Sequence, residues 1–174
     1  MFNRRDFGLA GIALIAGAAG LRAANTHAKE ETMTGPSEMT FEITKTEEEW
    51  RKILTPEQFH VLRKQGTERS GTSPLDKIYD PGTFVCAGCE LPVFSSETKF
   101  NSGTGWPSFH EPLENGIGTS TDQSFFMMRT EVHCRRCGGH LGHLFNDGPP
   151  PTGLRYCMNG VAMKFVPETT STTG

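Results

Sequence analysis

The chain has 174 residues, 17 Lys and Arg against 20 Asp and Glu, a formal charge of −3 and five cysteines. Setting aside residues 1–28, whose composition differs from the rest, removes Arg4, Arg5, Arg22 and Asp6 and leaves 146 residues with 14 basic against 19 acidic side chains. An acidic remainder without a Lys/Arg run excludes nucleic acid and anionic membrane as expected partners, and its length suits one domain, small enough for a structural metal to add stability.

Residues 1–28, MFNRRDFGLAGIALIAGAAGLRAANTHA, open with Arg4-Arg5 and Phe7, continue as an uncharged Gly/Ala-rich run over residues 8–21, and end in small residues. This is the pattern of an export signal. The run of 14 residues is shorter than the roughly 20 that a membrane-spanning helix needs. N-R-R-D-F resembles a twin-arginine signal, so export to a bacterial periplasm by that route is expected, with cleavage after Ala28 and Ala24 as the competing site. Residues 29–40 are polar, carry Gly35-Pro36 and read as a flexible linker.

Helical punctuation follows. Thr46-x-x-Glu49 is a capping box ahead of the apolar Trp50, Ile53 and Leu54, and Thr55-Pro56-Glu57-Gln58 is a second, with proline at the first helical position. Phe59 and Leu62 supply the second helix's inner face and Gly66 its stop. Residues 67–76, TERSGTSPLD, read as a turn-rich loop. From Gly82 onward the chain breaks into short runs of β-formers between Gly, Pro and Asn: TFVC, PVFSS, GIGTS, SFFMMRTEVHC, HLGHLF, LRYCMN and VAMKFV. Strands at this spacing predict an all-β sandwich or distorted barrel over residues 41–166, followed by a polar tail over residues 167–174.

Four cysteines form two C-x-x-C pairs, Cys86/Cys89 and Cys134/Cys137, and 44 residues separate the pairs. A two-residue spacer lets one tight turn present two thiolates to one metal, and four thiolates close a tetrahedral zinc site with no open position. Disulfides, or a redox dithiol in one pair, are the competing readings in an exported chain. Gly138 after the second pair favours zinc, which would staple two distant hairpins together.

Cys157 is the unpaired fifth. On an extended segment, alternation places Arg155, Cys157 and Asn159 on one face and Tyr156 and Met158 on the other. A neighbouring guanidinium favours the nucleophilic thiolate; the alternative is a buried, inert thiol beside a solvated arginine. His140 and His143 lie just upstream in GGHLGHLFNDGPPPTG. Cysteine with histidine offers a nucleophile with a general acid or base, whereas H-x-x-H with Asp147 would instead suggest a second metal and hydrolytic chemistry. Trp106, in the Gly-rich FNSGTGWPSF, is suited to walling a small apolar pocket or to an ordinary core position.

CxxC, SGTGWPSF, CxxCGGHLGHLFNDGP and GLRYCMN, in this order, resemble the peptide methionine-R-sulfoxide reductase (MsrB) family, from about Thr46 to Val166. The resemblance implies a mainly β fold of two small antiparallel sheets in a distorted sandwich or barrel, with short N-terminal helices and a four-cysteine zinc site at Cys86, Cys89, Cys134 and Cys137. It implies reduction of methionine-R-sulfoxide in peptides or proteins, leaving a sulfenic acid on the nucleophile. Cys157 matches that nucleophile and His143 the proton donor. His140 and Asn159 match residues that bind the sulfoxide oxygen or water, Trp106 receives the S-methyl group, Arg155 tunes the thiolate, and Phe145 lines the pocket. Many members carry a second redox cysteine in S-G-C-G-W; here the loop reads Ser102-Gly103-Thr104-Gly105-Trp106. An external thiol, thioredoxin-like or another dithiol carrier, is therefore expected to regenerate Cys157. The competing class is a non-catalytic zinc-stapled β binding module, which has no need to keep Trp106, His143, Arg155, Cys157 and Asn159 together.

Overall fold

Both helices begin on reciprocal threonine caps. Thr46 accepts from the Glu49 N–H while Glu49 accepts from the Thr46 N–H ahead of α1 (Glu47–Ile53), and Thr55 with Gln58 repeats the exchange ahead of α2 (Pro56–Lys64). These bonds satisfy donors that a helix's first turn otherwise leaves open. The computed structural model describes residues 40–123 and 128–169. The signal and nearly all of the linker expected from the sequence lie outside them, as do residues 170–174.

Trp50, Leu54, Phe59, Val61 and Leu62 turn inward. Ile53, expected on the same stripe, is 56% exposed. Trp50 and Leu54 set the inward line of this short helix, and a residue three positions after Trp50 lies about 60° to the other side of it. The left-handed turn that stops α2 falls on Gln65 (φ 54°), not on Gly66, whose N–H bonds back to the His60 carbonyl.

Among the described residues nine strands follow: β1 Gly82–Cys86, β2 Pro92–Ser95, β3 Lys99–Phe100, β4 Ser108–Phe109, β5 Ile117–Asp122, β6 Arg129–Cys134, β7 His140–Phe145, β8 Arg155–Met158 and β9 Met163–Pro167. They form a three-stranded sheet in the order β2-β1-β9 and a six-stranded sheet in the order β3-β4-β8-β7-β6-β5, with every pairing antiparallel. This is the mainly β, two-sheet architecture expected. The two-residue strands β3 and β4 were invisible in the sequence because two residues show no alternation.

Aromatic rings join the sheets. Phe84 of β1 and Phe94 of β2 lie 4.9 and 4.4 Å, centroid to centroid, from Phe109 of β4. Tyr156 of β8 completes the cluster 5.7 Å from Phe94. Fully burying each such side chain contributes about 1.5–3 kcal/mol, so the inward face of β8 is strongly specified. Tyr156 and Met158 occupy that face, and the pleat turns Cys157 the other way.

Candidate functional site

The two C-x-x-C turns are built alike. In the first, the Glu90 N–H bonds to the Cys86 carbonyl and the Cys86 N–H to Leu91; in the second, Gly138 bonds to Cys134 and Cys134 to Gly139. Each turn needs a left-handed residue after its second cysteine, Glu90 (φ 59°) in one and Gly138 (φ 65°) in the other. Only the second uses the residue type that adopts this conformation freely. Cys86 and Cys89 come from the end of β1, Cys134 and Cys137 from the end of β6, so the cluster ties the small sheet to the large one.

All four sulfurs lie within 4.8 Å of one another, with Cys86 to Cys137 at 3.7 Å and Cys89 to Cys134 at 3.4 Å. Tetrahedral zinc with bonds of about 2.3 Å sets its sulfurs about 3.8 Å apart. The spacing therefore fits a metal, and all four thiols are free of disulfide bonds. Hydrogen bonds among the sulfurs push the Cys86 and Cys137 thiols up and Cys134 down, and Cys89 ends at about 7. Thiols this close contest their protons, and a dication that takes all four as thiolates removes the contest.

Strand register builds the second centre. Cys157 on β8 is flanked by Ser108 on β4 and His143 on β7, and His143 in turn by Glu131 on β6. Directly opposed residues share a face, so pairing alone sets Cys157 beside His143. Trp106, Arg129, His143, Phe145, Cys157 and Asn159 line a hollow of about 160 Å³. That is less than the roughly 300–1,000 Å³ of a typical small-molecule site; it admits the end of a side chain.

Each wall residue is held. Trp106 Nε1 donates to the Glu68 carbonyl at 3.2 Å. Asn159 accepts from the Glu68 N–H at 2.9 Å and donates to the Leu141 carbonyl at 3.1 Å, which leaves one amide hydrogen uncommitted. His143 Nε2 is 2.8 Å from Asp122 Oδ2, which also takes the Arg129 guanidinium at 2.7 Å. Burial pushes the His143 imidazole below its ordinary pKa, against the opposing pull of Asp122. Arg155 is clamped by Asp147 through two bonds of 2.8 and 2.9 Å and lies over the Phe145 ring at 4.3 Å. Its charge lowers the Cys157 pKa, but burial outweighs it and the thiol stands above its ordinary value. Strand alternation by itself does not reveal this balance, because a residue pattern carries no desolvation.

His140 lies behind the pocket wall. It is 2% exposed, its Nδ1 is 2.8 Å from Glu131, and its ring centroid is 5.2 Å from that of His143. The register shift leaves Leu141 as an extra residue and pairs His140 with His133, so His140 shares the face of Glu131 and His143 and backs His143 without lining the hollow itself. Asp147, considered with the two histidines as a metal ligand, is instead engaged by Arg155. Among the described residues only the four cysteines gather as a metal-binding group.

Sequence reasoning missed Glu68, Ser108, Asp122, Arg129 and Glu131. Glu68 pins the loop after α2 to the site, its carboxylate accepting from the Gly160 and Val161 N–H groups at 2.6 and 2.9 Å. No periodicity marks it. The acidic residues of β5 and β6 did carry a signal: Ser120 opposes Glu131 and Asp122 opposes Arg129, a polar alternation unexplained by a solvent face.

A two-sheet β domain with a four-cysteine cluster fit to hold a metal and one separate thiol in a small aromatic hollow defines a narrow class. The model of the SelR domain matches residues 54–167. The peptide methionine sulfoxide reductase MsrB of Leptospira interrogans is 53% identical over 131 residues, covering 75% of this chain and 100% of the relative. Its counterpart in Agrobacterium fabrum is 52% identical over 126 residues, covering 72% and 93%, and that of Methanosarcina barkeri 53% over 127 residues, covering 72% and 89%. The chain belongs to the SelR-domain, or MsrB, family.

Proposed function

We propose that the protein reduces methionine-R-sulfoxide in peptides or proteins to methionine, with Cys157 as nucleophile. One observation carries this reading: the single cysteine outside the metal cluster opens onto a hollow walled by Trp106 and bordered, through strand pairing, by His143. Trp106 and Phe145 receive the S-methyl end. As the sulfoxide enters, the Cys157 proton moves by way of His143 towards the sulfoxide oxygen, and the lowered pKa of His143 makes its protonated form a ready donor. The thiolate attacks the sulfoxide sulfur while His143 protonates the oxygen and the remaining amide hydrogen of Asn159 steadies it. Attack forms a bond between Cys157 Sγ and the substrate sulfur; the protonated oxygen then moves to Sγ as the Sγ–S and S–O bonds break, so the substrate sulfur gains two electrons and leaves as methionine while Cys157 is left as a sulfenic acid. His140, behind the wall, acts through Glu131 and the ring of His143.

Thr104 has no thiol, and the other four cysteines belong to the metal cluster, which we assign to structural zinc. An external thiol then attacks the sulfenic acid, releasing water and leaving a mixed disulfide; a second thiol frees Cys157. The twin-arginine-like start supports export, so the donor is a dithiol carrier on the far side of the membrane. The test is reduction of resolved R and S epimers of a methionine sulfoxide peptide with dithiothreitol. Turnover of R alone, lost in Cys157→Ser, is expected; turnover of S alone, or of neither, overturns the assignment.

A further inference from the structure

Cys157 is half-buried against the loop before β4, and that loop presents hydroxyls to it rather than charges. Thr104 Oγ1 is 4.0 Å from Cys157 Sγ, Ser102 Oγ is 2.8 Å from Thr104 Oγ1, and Ser108 Oγ is 2.8 Å from Ser102 Oγ and 3.1 Å from the Trp106 carbonyl. Ser108 is fully buried and is the strand partner of Cys157. We infer that the hydroxyls of Ser108, Ser102 and Thr104 form a reversible hydrogen-bond chain between the Trp106 carbonyl and Cys157, which makes Thr104 and Ser102 positioning residues for the thiolate.

Proton counting gives the chain two directions. Each hydroxyl has one hydrogen to donate. When Cys157 is a thiol, its S–H points to Thr104 and Thr104 to Ser102, while Ser108 turns its hydrogen to the Trp106 carbonyl, which only accepts. When Cys157 is a thiolate all three rotate, so that Ser108 donates to Ser102, Ser102 to Thr104 and Thr104 to the sulfur. Successive donors polarise one another, so the last hydroxyl is a better donor than a lone threonine.

The other groups around Cys157 leave room for such a device. Arg155 on β8 is held by Asp147; His143 on β7 and Arg129 on β6 both engage Asp122 on β5. The two guanidinium groups and the imidazole facing the sulfur are thus each already engaged by a carboxylate, while β4 and its loop contribute the hydroxyls and the Trp106 indole. Against the rise caused by burial, Arg155, then the Thr104 and Ser108 hydroxyls, all draw the Cys157 pKa down.

The proposal rests on the functional reading only for its consequence in turnover, because its test uses no sulfoxide. Zinc-loaded wild type, Thr104→Val, Thr104→Ser and Ser102→Ala are alkylated with iodoacetamide across pH, and modification of Cys157 is followed by peptide mass spectrometry. Thr104→Val should raise the midpoint by about one pH unit. Thr104→Ser should stay near wild type, and Ser102→Ala, which cuts the chain without touching the sulfur, should shift the midpoint upward by less than Thr104→Val. A Thr104→Val curve that coincides with wild type, or an equal shift in Thr104→Ser, overturns the chain. So does a Ser102→Ala curve that does not move. Metal content is measured on each sample; if Thr104→Val loses its metal, Ser102→Ala decides alone.

Discussion

Thr104 is the loop residue beside Cys157, its side-chain oxygen 4.0 Å from Sγ. A sulfur at that position needs a side-chain rotation, and a small loop movement, to reach the roughly 2.05 Å of a disulfide bond. Thr104→Cys should therefore convert the enzyme to internal regeneration: after one turnover without added thiol, mass spectrometry should find a stoichiometric disulfide linking the introduced thiol to Cys157. Wild type under the same conditions should carry a sulfenic acid. A wild-type intramolecular disulfide, or a substituted protein that retains both thiols after turnover, would contradict this. At this scale much of the site was legible. Cys157 stood out because the other cysteines pair by spacing, and alternation placed Arg155 and Asn159 with it. The side chain of Glu68 was not legible, since its work is done on backbone groups more than ninety positions away.

The hairpin of β5 and β6 supports strand β7 through Glu131. Its carboxylate lies 2.8 Å from His140 Nδ1, accepts from Ser120 at 2.6 Å and meets the Gln65 amide that ends α2. The bond with His140, against the opposing effect of burial, brings its pKa to about 2. A depressed carboxylate stabilises the fold at any pH above the ordinary carboxyl range, and that contribution drains away as pH falls from about 4.5 towards 2. With discounting for partial exposure, the loss amounts to about 2 kcal/mol. Urea unfolding of wild type and Glu131→Gln between pH 7 and pH 2 checks it: wild type should lead at neutral pH, and its lead should shrink through this window. Loss in acid of a metal held by the four cysteines would be common to both proteins and cancel in the difference. A constant difference across pH would assign Glu131 a purely steric role.

For the whole molecule the four-cysteine cluster is the cross-brace, because Cys86 and Cys89 leave the small sheet and Cys134 and Cys137 the large one. Metal bound only by the folded state adds its binding free energy to stability. Treatment with a mercurial and a chelator should release one zinc per chain and lower the Tm by about 10 °C or more. Calorimetry with metal analysis of the same sample checks it, and unchanged melting after complete release would remove the structural role.

The sequence by itself determined what spacing and period encode: two capped helices, seven of the nine described strands, the metal-type cysteine pairs and the solitary thiol. These are local, and a cap, a C-x-x-C turn or an alternating strand is specified within a few residues. Tertiary structure alone decided which distant residues meet. Pairing of β8 with β4 and β7 set Ser108 and His143 on either side of Cys157, and an extra residue in β7 brought His140 onto the face of Glu131, beside His143. The protonation preference of Cys157 was settled the same way, because it is the difference between burial and the surrounding donors, and neither exists until the sheets have closed over the thiol.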